Sequence, residues 1–142
     1  MSVSERCRPG EMRSEVRVSS VYERPSAGDG TRILVDPTWP AGVPHNAQYI
    51  KEWFPALAPS PRLRRRFDRK PANFAEFRRC YLNELREPLR ALALACLRQA
   101  VPHGTLSLLT AAEDVHSSHA AVLAEWLRFV GSDAASRLAR AG

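Results

Sequence analysis

Residues suited to chemistry fall into two groups along the chain. In the first group, Asp36 follows the apolar segment 33–35 and leads into a proline-rich loop that contains Trp39. A carboxylate at the end of a strand can act as a base, bind a metal ion, or accept hydrogen bonds from the loop amides that follow. Trp39 can form a stacking wall for a planar ligand, or it can cover the core.

The second group surrounds the start of a predicted helix, where Asp114 precedes His119. Backbone N–H groups at a helix N-terminus favour anions, so His119 is placed to contact a phosphate or a carboxylate. Histidine also serves as a general acid or base near neutral pH. His116 and His119 form an HxxH pair, but no third metal ligand is evident beyond Asp114. We therefore expect no metal site and no cofactor.

Arg32 is a polar residue inside a strand pattern, four positions before Asp36. It is a candidate ligand contact. Alternatively, it pairs with Asp36 or Asp114, or it faces solvent. The sequence contains no GxSxG nucleophile motif and no glycine-rich phosphate loop. The sequence therefore predicts neither catalysis by a serine nucleophile nor phosphate binding by a glycine-rich loop.

Positive charge is concentrated in one part of the chain. The net charge is +6, and the segment from Arg62 to Arg90 contains ten basic and four acidic residues. Basic surfaces attract nucleic acids and phosphorylated ligands. Arginine-rich, alanine-rich composition is also typical of proteins from GC-rich genomes. Nucleic-acid binding through the segment Arg62–Lys70 is therefore an alternative function, with these candidate contacts: Arg62, Arg64, Arg65, Arg66 and Arg69.

Strand and helix patterns alternate along the sequence. Apolar or alternating runs predict strands at 16–22, 33–35 and 106–110. Proline starts and a period of 3.6 residues predict helices at 48–54, at 61–66 with Ser60 as N-cap, from 71, from 88 to Gly104, and from 117 or 118 to Gly131. This order predicts an α/β fold: a single domain with a small, mainly parallel sheet of about three or four strands, flanked by helices. In such sheets ligands bind beyond the carboxyl ends of the strands.

Each long helix is predicted to bury one apolar face. The helix from 71 presents Phe74, Phe77, Tyr81, Leu82 and Leu85 on one face. The helix from 88 is predicted to bury Leu89, Leu92, Cys96 and Leu97. The helix before Gly131 is predicted to bury Val122, Leu123, Trp126 and Val130.

The domain itself is predicted to span residues 16–130. Residues 1–15 are interpreted as a disordered leader, with Met12 as an alternative start, and 131–142 as a helix or tail. The leader lacks the apolar core of a signal peptide, and no apolar run reaches the length of a membrane helix. Three widely spaced cysteines argue against a disulfide framework. We therefore expect a cytoplasmic protein that does not contact membranes.

The order of motifs resembles the YeaO-like family (DUF488) from about Val16 to Leu127. The matching pieces are GxR-x-LVD followed by Trp-Pro-x-Gly, then Trp53, Leu57-Ala58-Pro59-Ser60, Leu63-Arg64, Phe77-Arg78, Tyr81, Glu84-Leu85, Leu108-Leu109, Asp114 and His119-Ala120. The resemblance implies a compact, intracellular α/β domain of bacteria or archaea. It does not imply a defined reaction.

Departures from the family pattern fall around the two groups. Pro37 and Ala41 stand where the family usually has arginines, and Ser118 stands where it has asparagine. Thr110 and Glu113 replace an aromatic residue and a lysine. An anion pocket built on those arginines would therefore be weakened, because arginine binds carboxylates and phosphates through two parallel hydrogen bonds.

The leading hypothesis is a small-molecule-binding domain, with anions among the candidate ligands, whose degenerate pocket is lined by Asp36, Trp39, Asp114 and His119. The alternative is an enzyme of undefined class that uses Asp36 or His119 as acid or base. The sequence does not determine the ligand or the oligomeric state.

Overall fold

The computed structural model describes residues 15–67 and 73–130. Its sheet contains four strands, β1 (Val16–Ser20), β2 (Thr31–Leu34), β3 (Glu52–Trp53) and β4 (Leu106–Thr110). The strands lie in the order β1-β4-β2-β3, and all three neighbouring pairs are parallel. The predicted single α/β domain with a small parallel sheet is confirmed.

In the described residues, four α-helices accompany the sheet: α1 (Pro61–Phe67), α2 (Phe74–Glu84), α3 (Pro88–Ala100) and α4 (His119–Val130). None of the helices in the described residues is long and apolar enough to cross a membrane. Residues 1–14 of the predicted leader, the start of the first long helix at Pro71, the stop at Gly131 and the terminal helix lie outside the described residues.

The two faces of the sheet are covered differently. On one face, Ile33 and Val35 of the β2 region pack with Leu108 into the main core, to which all four helices contribute buried side chains. On the other face, Leu34 and Leu109 pack under the irregular segment 39–50. This division follows from the alternation of side chains along each strand.

The start of α1 is fixed by its own sequence and by α2. Ser60 caps the helix, because its Oγ accepts a hydrogen bond from Leu63 N at 3.1 Å, and Pro61 is the first helical residue. Glu84, at the end of α2, accepts from Ser60 N at 2.9 Å and from Ser60 Oγ at 2.5 Å. The predicted cap is confirmed, and the added carboxylate ties α1 to α2.

The predicted helix at 48–54 is wrong. Residues Glu52 and Trp53 form β3 instead, in parallel register with Ile33 and Leu34. Lys51 N and Phe54 N donate to carbonyl oxygens of the β2 strand, each at 2.8 Å. The open edge of β2 supplies these hydrogen bonds, and local periodicity cannot reveal such a distant partner.

The buried face predicted for α3 is largely wrong. Leu89 and Leu92 are 78% and 62% exposed, and Cys96 is exposed as well, whereas Leu94 and Leu97 are buried. Apolar residues lie on more than one side of this helix, so its sequence was compatible with burial of either of two faces. Packing selected one of them. The helix also ends at Ala100, with Val101 N bonded to Leu97 O, rather than at Gly104. Pro102 follows at once, and proline cannot continue a helix.

Candidate functional site

Asp36 and His119 meet at the carboxyl edge of the sheet. Asp36 follows β2, and His119 is the first residue of α4. The Nε2 atom of His119 lies 3.4 Å from Oδ1 of Asp36 and 3.0 Å from the carbonyl oxygen of Val35. Both side chains are largely buried, with 13% of the histidine and 12% of the aspartate side chain exposed. The structure thus brings together two residues from separate parts of the sequence.

Asp36 joins the ends of two neighbouring strands. Its Oδ2 accepts a hydrogen bond from Ala111 N at 2.8 Å, just after β4. Its backbone oxygen accepts from Nε1 of Trp53 at 2.8 Å. Its Oδ1 is buried without a hydrogen-bond partner. Asp36 therefore supports the loop after β4, and one of its oxygens is left facing His119.

The burial of His119 controls its charge. Burial lowers its pKa below the ordinary histidine value, while the neighbouring Asp36 and the bond to the Val35 carbonyl act in the opposite direction. The positive charge of Arg64 lowers the pKa further. A carbonyl oxygen can only accept a hydrogen bond, so Nε2 carries the ring proton and donates a hydrogen bond to the carbonyl oxygen of Val35. The neutral imidazole is therefore the form that this environment favours near pH 7.

A cleft of about 620 Å³ opens beside His119. Helix α1 and the residues before it form one wall, α2 forms a second, and the segment from β4 to α4 forms a third. The residues that line this cleft, from here on "the cleft", are Pro59, Pro61, Arg64, Arg65, Phe67, Phe74, Phe77, Ala112, Ser117 and His119.

Aromatic rings form a continuous column from the cleft to the buried histidine. Phe74 stacks on Phe77 with centroids 5.9 Å apart, and Phe77 stacks on Tyr81 at 5.8 Å. Tyr81 then meets His119 edge to face at 6.1 Å. Phe67 meets Phe77 edge to face at 5.9 Å. Tyr81 is fully buried, and its hydroxyl donates a hydrogen bond to Leu57 O, so the position of this ring in the column is fixed.

Two arginines give the cleft positive charge. Arg64 is half-buried, and its Nε donates to Pro59 O at 3.1 Å. Arg65 is exposed on the next position of α1. Within residues 15–67 and 73–130, no carboxylate pairs with either of them. By contrast, Arg78 of α2 pairs with Glu125 of α4. As far as the described residues show, the guanidinium groups of the cleft are therefore available to an anion.

Arg32 lies apart from this site. It is buried near the start of β2 and forms a close ion pair with Asp29, not with Asp36 or Asp114. Its Nε donates to Tyr49 O at 2.8 Å. Asp29 in turn accepts from Ser26 N and Oγ, which together with Arg32 hold its pKa below the ordinary range. Both alternatives given for Arg32, pairing with Asp36 or Asp114 and exposure to solvent, are therefore wrong, because Asp29, three residues away, pairs with the buried guanidinium.

Trp39 lies against the opposite face of the sheet from α4. It packs with the smaller core cluster that contains Leu34, stacks on His45 with centroids 5.2 Å apart, and meets Trp53 edge to face. Its Nε1 donates to Val43 O at 2.7 Å. Trp39 thus organises the loop after Asp36 and does not line the cleft.

Asp114 is exposed and supports the turn that leads into α4. Its Oδ1 accepts from His116 N at 3.2 Å, so it caps the short 3-10 helix Val115–Ser117. His116 is exposed. Within the described parts of the chain, no three His, Cys, Asp or Glu side chains come together as a metal-binding group.

The arginines proposed for nucleic acid are divided by the fold. Arg62 and Arg66 are exposed, and Arg66 lies 3.9 Å from Glu76. Arg64 and Arg65 line the cleft instead. Arg69 lies outside the described residues.

Sequence analysis missed the aromatic lining of the cleft. The sequence pattern predicts Phe74 and Phe77 on a core-facing stripe, and both pack against the main core, but each is only half-buried and also lines the cleft. Ser117 was considered only as a helix cap. The signal in the sequence was the series of large aromatic residues, Phe74, Phe77 and Tyr81, on one face of one helix.

Comparisons with known proteins agree with the motif order. A family model described as the inactive DUF488-N3 subclade matches residues 15–136. An uncharacterized protein of Mycobacterium tuberculosis is 40% identical over 114 residues, covering 80% of this chain and 94% of the relative. The uncharacterized protein YeaO of Escherichia coli is 36% identical over 114 residues, covering 80% of this chain and 96% of YeaO. No solved structure matches this chain significantly. The resemblance is confirmed, and the chain belongs to the DUF488 family.

Proposed function

We propose that this chain is a small-molecule-binding domain that takes an anionic ligand in the cleft and performs no reaction on it. One observation carries the proposal: Arg64 and Arg65 line the same cleft as His119, with no carboxylate partner among the described residues. Arginines without a partner beside a concave surface are typical of sites that recognise carboxylates or phosphates.

The size and lining of the cleft support this proposal. Ligand sites commonly have volumes of roughly 300–1,000 Å³, with apolar walls and a few polar groups that orient the ligand. The cleft has about 620 Å³. Its polar groups come from Arg64, Arg65, Ser117 and His119, and the remaining lining is mostly proline and phenylalanine.

Arg64 is the better positioned of the two cations. Its Nε is held by Pro59 O, which restricts the guanidinium before any ligand arrives. Such preorganisation reduces the entropy lost on binding. The cap of α1 by Ser60 and its link to Glu84 fix the helix that presents this residue.

The absence of catalysis is proposed from the engagement of the Asp36–His119 pair. Asp36 already accepts from Ala111 N, and His119 already contacts Val35 O. The matching family model is described as an inactive subclade. Pro37 and Ala41 also lack the polar groups that the family usually has at those positions. We therefore assign the pair a structural role, in which its contacts with Ala111 and Val35 fix the segments beside the cleft.

Calorimetric titration with inorganic phosphate, acetate, benzoate and phenyl phosphate tests this proposal. We expect saturable binding of at least one of these anions to the native chain. Arg64→Gln should weaken binding about tenfold or more, because one charge-assisted contact is lost. Arg62→Gln is the matched control, since Arg62 is exposed on the same helix and does not line the cleft. No binding, or equal losses in both variants, would reject the proposal.

The same proteins separate the two alternatives. If nucleic acid is the partner, oligonucleotide binding will exceed that of the small anions and weaken steeply with salt, and Arg62→Gln and Arg66→Gln will both reduce it. If the chain is an enzyme, turnover of a bound anion will be lost in Asp36→Ala and His119→Ala. Turnover that survives both substitutions would dismiss these residues as acid or base.

A further inference from the structure

The half-buried phenylalanines of the cleft pack against the main core and leave part of their apolar surface exposed. Phe67, Phe74 and Phe77 all line the cleft, and all three retain solvent exposure at its wall. Aromatic rings of ligands stack favourably on such surfaces or approach them edge to face. They cluster where the α1 and α2 walls meet, from here on the aromatic wall, and this clustering points to a ligand that contains a ring.

The geometry of this wall is fixed by the protein interior. Phe77 lies between Phe74 and the fully buried Tyr81, with centroids 5.9 and 5.8 Å away. Tyr81 is anchored by its hydrogen bond to Leu57 O at 2.5 Å. A rigid apolar wall loses little entropy when a ligand packs against it. The aromatic surface is thus suited to binding in its present form.

The same cleft offers cationic groups next to the aromatic wall. Arg64 and Arg65 come from α1, which also ends in the wall residue Phe67. His119 lies at the far end of the aromatic column, in edge contact with Tyr81. A ligand that satisfies both regions must combine an apolar ring with a negative charge.

We infer that the ligand of the cleft is an aryl anion, in which an aromatic ring packs on Phe67, Phe74 and Phe77 and an attached carboxylate or phosphate binds Arg64. This inference rests on the proposed function and adds the class of ligand. The ring supplies affinity through burial of apolar surface, and the charged group selects the orientation.

Paired titrations with and without the ring test the inference directly. Phenyl phosphate should bind the native chain about tenfold or more tightly than inorganic phosphate, because packing of a ring in an apolar wall contributes at least that factor. Benzoate and acetate form the second pair, and the pair with the higher affinity identifies the charged group. Equal affinities within both pairs would overturn the inference.

Substitutions locate the ring on the proposed wall. Phe74→Leu should reduce the preference of phenyl phosphate over inorganic phosphate to within about threefold, while inorganic phosphate binding is retained. Phe67→Leu provides a second variant if the first does not fold. Phe129→Leu is the matched control, because Phe129 is an exposed aromatic residue of α4 that does not line the cleft. A preference unchanged in both wall variants would also overturn the inference.

The outcomes separate this inference from the proposed function. If anions bind with dependence on Arg64 but without preference for a ring, the proposed function stands and the aryl ligand is rejected. If no anion binds at all, both are rejected.

Discussion

Nε2 of His119 lies 3.4 Å from Oδ1 of Asp36, so the first residue of α4 touches the residue that ends the β2 region. The contact connects a helix start to the carboxyl edge of the sheet. Burial lowers the pKa of His119 more than Asp36 raises it, which favours a neutral imidazole beside a carboxyl group. The pair therefore differs from an ordinary surface ion pair, and its protonation is coupled to folding.

Acidification should destabilise the protein through His119. The folded-state pKa of His119 is lower than the ordinary value, so the unfolded chain binds the proton more readily. The resulting stability is complete above the unfolded pKa of about 6.5 and is lost as pH falls toward the folded pKa. Urea unfolding between about pH 7.5 and 5.5 should show a decreasing free energy of unfolding, with a slope of up to about 1.4 kcal/mol per pH unit from this residue.

The variant His119→Gln isolates that contribution from the other titrating groups. Its free energy of unfolding should depend less on pH than that of the native chain over the same range. His116→Gln is the control, because His116 is exposed, and it should keep the native slope. Identical slopes in all three proteins would refute the assignment.

Replacing Asp36 should cost more stability than replacing Asp114. Asp36→Ala leaves the part-buried N–H of Ala111 without its acceptor, which costs about 1–3 kcal/mol. Asp114→Ala removes a cap that is exposed to water, and we expect a loss of about 1 kcal/mol or less. Urea unfolding at pH 7.5 or so measures both losses.

Asp36→Ala should also lower the pKa of His119 further, since the carboxylate is one of the groups that raise it. Titration of the imidazole resonances by NMR measures this shift. A histidine pKa that rises in Asp36→Ala would contradict the electrostatic account of the pair.

Gly30→Ala should be far more damaging than Gly104→Ala. Both glycines have positive φ, at 66° and 84°. A Cβ at Gly30 would lie 2.1 Å from the carbonyl oxygen of Thr105, whereas a Cβ at Gly104 would meet nothing within 4 Å. We expect a loss of at least about 3 kcal/mol at Gly30 and about 1–2 kcal/mol at Gly104, where only the backbone preference is violated. Thermal unfolding compares the two, and similar losses would contradict this close approach of strand and loop.

The two faces of α3 can be distinguished by truncation. Leu97→Ala removes a fully buried side chain and should cost about 2–5 kcal/mol. Leu92→Ala changes a side chain that is 62% exposed, and its effect should stay within about 0.5 kcal/mol. Urea unfolding of both variants measures the difference. A large loss in Leu92→Ala would mean that this face is covered in solution.

Local sequence signals predicted the structure correctly where the hydrogen bonds form between residues close in sequence, or where few other conformations are possible. Ser60 and Pro61 define the start of α1 because a hydroxyl cap and a proline without an N–H suit the first turn. The segment 106–110 is mostly apolar and buried throughout, because β4 is an inner strand of the sheet. Local patterns failed at Glu52–Trp53, where the partner strand lies far away in the sequence.

The sequence by itself determined the α/β class and the family, and it singled out Asp36 and His119 as candidate site residues. Strand and helix periods, proline starts and motif order depend on neighbours along the chain, so they can be read without a structure. Only the tertiary structure decided which of these residues meet. It placed His119 beside Asp36 and Arg64 in the cleft, and it engaged Arg32 with Asp29. The physical reason is that the burial and pairing of a side chain depend on groups that are distant in sequence. Each of these side chains had several possible partners in the sequence, and tertiary packing selected one of them.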